Sequence, residues 1–158
     1  MLSIKRIFLC LALPLILVGC ASNQAPQIAY EDKSRPLKDT AVILADKVGK
    51  GYDLKITHID DKPTSCFEVG CPVWVRVTPG KHKVTVRYQG NYQLTLHEIK
   101  YIESSGAFEV NAEAGHVYIV EYKYENDRLY FRYRDDGKNS NAGVYLGLSQ
   151  EKYPVRFD

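Results

Sequence analysis

The chain has 158 residues, 45% of them hydrophobic and 25% charged, with 21 Lys and Arg against 19 Asp and Glu. That length suits one domain built on one core. Lys5 and Arg6 fall in the first nineteen residues, so the remainder holds 19 basic against 19 acidic side chains and no basic surplus for nucleic acid.

Residues 1–19 read as a secretory leader, with Lys5 and Arg6 as the positive start and Ile7 to Val18 as the apolar stretch. About twelve apolar residues fall short of the roughly twenty that a spanning helix needs. The stretch ends in Leu17-Val18-Gly19-Cys20, which resembles the lipobox of bacterial lipoproteins: apolar, small, Gly or Ala, then Cys. An ordinary secretory signal with a chance cysteine is the alternative. The resemblance implies that Cys20 becomes the mature N-terminus and carries several acyl chains. One chain binds a bilayer only marginally, at roughly 0.8 kcal/mol per buried CH₂, whereas several anchor it in effect permanently. Ala21 and Ser22 replace the Asp that retains lipoproteins on the inner membrane, so the resemblance also implies an outer-membrane anchor with the domain facing the periplasm.

Of the four cysteines, Cys10 leaves with the leader and Cys20 is the acylation site, which leaves Cys66 and Cys71. In an oxidising periplasm a disulfide closing that short loop beside Trp74 is expected. Redox or zinc chemistry is the alternative, but neither Cys-x-x-Cys nor a second ligand pair is present.

Residues 20–37 are polar, with Pro26 and Pro36 and no periodicity. They read as a tether with a reach of about 20–25 Å, followed by one domain over 38–158. Period-2 alternation and turn residues then dominate. Ala41 to Asp46 and Tyr52 to Ile59 read as strands divided by Gly49-Lys50-Gly51, and Asp60-Asp61-Lys62-Pro63 ends the second. Val73 to Val77 is a strand, Thr78-Pro79-Gly80-Lys81 a turn, His82 to Tyr88 a strictly alternating strand, and Gln89-Gly90-Asn91 another turn. Tyr92 to Ile102 changes phase near His97, as a β-bulge would produce. Ala107 to Ala112 is a short strand, Val117 to Tyr124 and Arg128 to Arg134 form a hairpin, and Tyr145 to Leu148 and Tyr153 to Phe157 close the domain. About seven to nine short strands without an amphipathic helix predict a single antiparallel β-sandwich; a barrel is the alternative closure.

Val75-Arg76-Val77-Thr78-Pro79-Gly80-Lys81-His82-Lys83-Val84-Thr85-Val86 and Glu113-Ala114-Gly115-His116-Val117-Tyr118 repeat one pattern. A Gly turn leads into His and an alternating strand. Here the chain resembles small β-sandwich lipoproteins related to the PEGA and DUF2846-type domains, over roughly residues 40 to 125. It departs at Cys66, Cys71 and the Tyr-rich hairpin. The resemblance implies a binding or structural module of the envelope and transfers no catalytic residue.

Tyrosine is abundant, 12 of 158 residues. Tyr118, Tyr122 and Tyr124 share a face with Val120, while Arg128, Arg132 and Arg134 lie on the side of Tyr130. Rings stack on sugars or partner side chains and arginines add donors, so this hairpin is the candidate binding surface; cross-strand pairs at a half-buried sheet are the plainer reading. His58-Ile59-Asp60-Asp61 lacks a third metal ligand, His82 and His116 sit beside turns, and Asp135 to Asn141 lacks calcium-loop spacing. No nucleophile elbow, phosphate loop or His-Glu-x-x-His occurs. The expectation is a non-enzymatic lipoprotein without cofactor or metal. It is held to the membrane by acyl chains on Cys20 and acts as an interaction or assembly module for an envelope protein. A carbohydrate or peptidoglycan binder is the alternative.

Overall fold

The computed structural model describes residues 26–45, 52–65, 72–138, 140–146 and 151–158. The leader, Cys20, the Gly49-Lys50-Gly51 turn and the Cys66–Cys71 pair lie outside these residues. The expected all-β sandwich is the architecture found. One sheet holds β1 (Gln27–Ile28), β5 (Trp74–Val77), β2 (Ala41–Ala45), β8 (Val117–Glu125) and β9 (Arg128–Asp135), in that order. The other holds β4 (Lys62–Pro63), β3 (Tyr52–Ile59), β6 (Gly80–Gln93) and β7 (Ile99–Ala112). A further pair, β10 (Gly143–Leu146) and β11 (Glu151–Pro154), lies apart from both. Two pairings are parallel, β1 with β5 and β2 with β8.

Alternation builds the core between the sheets. Val84, Val86 and Tyr88 of β6 are fully buried while Lys83 is exposed. They meet Ile43, Val75, Val77, Tyr118 and Val120 from the facing sheet. The run Ala41-Val42-Ile43-Leu44-Ala45 is buried at every position, as a strand covered on both faces must be. Its second face, with Trp74, Val117 and Ile119, lies under Val144, Tyr153, Val155 and Phe157. The C-terminal strands are therefore a strap over the outside of the first sheet.

Three local expectations change. Gln89-Gly90-Asn91 does not turn. β6 runs through it and pairs without a break from Gly80↔Ala112 to Gln93↔Ile99, so Ala107 to Ala112 is the end of one long strand. The turn is Leu94 to Glu98, closed where the Glu98 carbonyl accepts from the Leu94 amide at 2.9 Å and Thr95 Oγ1 accepts from the Glu98 amide at 3.1 Å. It contains neither Gly nor Pro, which is why its phase change reads as a bulge. Second, Thr78-Pro79-Gly80 does not join paired strands. Gly80, at φ 126°, carries the chain across from the first sheet to the second. Third, part of the stretch read as a tether is paired or turned: Gln27 and Ile28 pair with Val75 and Arg76, and Leu37–Asp39 form a 3₁₀ turn.

Candidate functional site

The β8–β9 hairpin turns at Asn126 and Asp127, at φ 51° and 60°, the paired left-handed residues that match strand twist. Tyr122 stands opposite Phe131, and Lys123 opposite Tyr130. Residues directly opposite in an antiparallel pair share a face, so the two halves of the expected surface lie on opposite sides of the sheet. Tyr118 is 2% exposed and Tyr122 packs against the inter-sheet core. Tyr122 meets Tyr88 at 4.8 Å between ring centroids, and Tyr124 meets Tyr92 at 5.1 Å. Tyr118, Tyr122 and Tyr124 thus belong to the inner face.

Tyr130, 50% exposed, remains outside with Arg128, Arg132 and Arg134. Two of these arginines are matched by carboxylates. Glu121 accepts from Arg132 Nη2 at 2.9 Å and from Arg134 Nε at 3.2 Å, and Arg134 also pairs with Asp136. The hydrogen bonds from Ser140 and Arg134 hold the Asp136 carboxyl below its usual range.

The histidines and loop carboxylates are likewise engaged within the fold. His82 Nδ1 lies 2.7 Å from Asp60 Oδ2, and the Thr78 carbonyl accepts from its Nε2 at 2.8 Å. Asp60 therefore turns toward His82, while His58 contacts Thr57. His116 pairs with Asp135 at 3.0 Å, and Asp135 also accepts from the Gly137 amide.

A different surface stands out. Tyr124 donates to Asp127 at 2.7 Å, and Lys100 of β7 donates to both of them at 3.0 and 3.1 Å. This network braces the ends of the two hairpins together. Past β3, whose register with β6 starts at Tyr52↔Gly90, the β6–β7 arm extends to its turn and carries Leu96 at 88%, Ile99 at 65% and Tyr101 at 59% exposure. Among the described residues, three of the six large exposed apolar side chains lie on this arm. Ile99 and Tyr101 share a strand face, as their spacing predicts; their exposure was not legible because the turn was assigned five residues too early.

The chain matches no protein-family model, no curated protein and no solved structure.

Proposed function

We propose that this chain is an acylated outer-membrane lipoprotein whose β-sandwich contacts an envelope protein as an interaction or assembly module, without chemistry of its own. The observation that supports it is the projecting β6–β7 arm with Leu96, Ile99 and Tyr101 exposed. Carboxylates and histidines that sequence reading singled out bond one another or the backbone, as His82 does with Asp60 and His116 with Asp135. The arm replaces the Tyr/Arg hairpin as the contact surface, since that hairpin keeps only one of its five tyrosines, Tyr130, on the outer face with its arginines.

In this reading Cys20 sets the distance to the bilayer. Gln27 is held on β5, so the seven intervening steps from Cys20 span at most about 25 Å.

The test is photo-crosslinking in cells from position 96 of the palmitate-labelled protein. One dominant protein adduct, lost in the Leu96→Asp, Ile99→Asp double variant while the fold is kept, supports the reading. Recovery of peptidoglycan fragments alone moves the function to glycan binding. Cys20→Ser should abolish palmitate labelling, and continued labelling would overturn the anchor.

A further inference from the structure

β5 alternates, so while Val75 and Val77 face the core between the sheets, Trp74 and Arg76 face the strap on the other side. Arg76 is only 4% exposed. A guanidinium removed from water needs a counter-charge or a complete set of acceptors. Arg76 Nη1 donates to Thr40 Oγ1 at 2.8 Å and to the Leu37 carbonyl at 3.4 Å, and Nη2 donates to the Arg156 carbonyl at 2.9 Å. The Phe157 ring lies 5.3 Å from its central carbon. All of these partners are neutral, and burial draws the Arg76 pKa downward. Among the described residues no carboxylate reaches it.

Trp74, 3% exposed, adds a second mismatch, because its Nε1–H has no acceptor. Both side chains line one cavity of about 380 Å³, whose walls include Pro26, Leu37, Pro154 and a second cation, Arg156. That size falls within the range of small-molecule sites, which pair apolar walls with a few placed polar groups. Two guanidinium groups without an acid among the lining residues form a site short of one negative charge.

We propose that this cavity binds a small aliphatic carboxylate, its head received by Arg76 and Arg156 and its chain lying against Pro26, Leu37 and Pro154. A carboxylate matches the planar fork of a guanidinium and supplies the missing charge. The site is independent of the projecting arm and of the anchor at Cys20.

Trp74 is the sole tryptophan of the chain, so its emission reads the cavity directly. Octanoate, octanol, octylamine and inorganic phosphate are titrated into the mature chain expressed without residues 1–20, which lacks both the acyl chains and the apolar leader and so keeps detergent out of the assay. The expected result is a saturable change in Trp74 emission with octanoate, at least about tenfold tighter than with octanol, the ratio a charge-assisted hydrogen bond confers. Octylamine and phosphate alone leave the emission unchanged. Arg76→Met loses the brace on Thr40 and Leu37 and can fail to fold, so the deciding variant is Arg156→Gln. It keeps the backbone carbonyl that Arg76 uses and should weaken octanoate about tenfold. Equal binding of octanol, saturation by phosphate, an unchanged affinity in Arg156→Gln, or no response to octanoate overturns the proposal.

Discussion

Asp60 shows how one side chain holds several elements. It sits at φ 52° in the turn that follows β3, and its carboxylate receives His82 Nδ1 and the Lys83 amide of β6 at 2.7 and 3.0 Å. Burial alone would raise its pKa. The hydrogen bonds from His82 and Lys83, with the charges of His82 and Lys62, outweigh that and hold it below 3.8. A depressed carboxylate stabilises the fold above its unfolded value, and that contribution is lost as pH falls through the folded one. Asn tolerates the left-handed backbone, so Asp60→Asn should cost about 1 kcal/mol at pH 7, a modest figure because the group is half exposed. The deficit relative to the parent chain should shrink below pH 3.8. Urea unfolding across pH checks it; a deficit that stays constant with pH would mean the charge plays no part. Residue identity alone marked His82 as a turn-side histidine, but its partner lies 22 positions away in sequence, a proximity that only strand pairing creates.

Among the elements, the strap is held by close backbone approach. A side-chain carbon on Gly143 would run into the Tyr153 carbonyl oxygen and the Pro154 Cα, neither of which can move without parting β10 from β11. Gly143→Ala should therefore lift the strap from Val42, Leu44 and Trp74, at a cost of about 2 kcal/mol. Trp74 emission should shift to the red as water enters; an unshifted spectrum would show that the strap tolerates the methyl group. The β8 and β9 strands follow their alternation closely, with the strong turn signal Asn126-Asp127 between them, whereas β3, although bounded by Asp60-Asp61, shifts register against β6 between Ile56 and His58. The β6–β7 turn carries no such residue, whereas Gly90 inside β6 looks like one. A continuous partner strand overrode that local signal, since fourteen paired positions outweigh one glycine.

Across the whole molecule, β2 lies between β5 and β8, and its parallel register Val42↔Val117 to Ala45↔Val120 joins segments 75 residues apart. The centre of the first sheet cannot form until most of the chain has been gathered. Such non-local order costs loop entropy before contacts offset it. Refolding followed by Trp74 emission should therefore fall in the range of milliseconds to seconds that all-β domains show. A microsecond phase with full amplitude would contradict the topology.

The sequence by itself determined the β class, most strand positions and the side-chain parity along uninterrupted strands such as β8 and β9, because side-chain alternation is a local property of extended backbone. It paired Tyr118, Tyr122 and Tyr124 with Val120 on one face and Tyr130 with Arg128, Arg132 and Arg134 on one face. What those faces meet was decided only by tertiary structure. The second sheet covers the first set, Glu121 and Asp136 match Arg132 and Arg134, and the strap encloses Arg76 without an acid. Burial and charge compensation arise from chain segments brought together over long sequence distances, and no local pattern records which segment arrives.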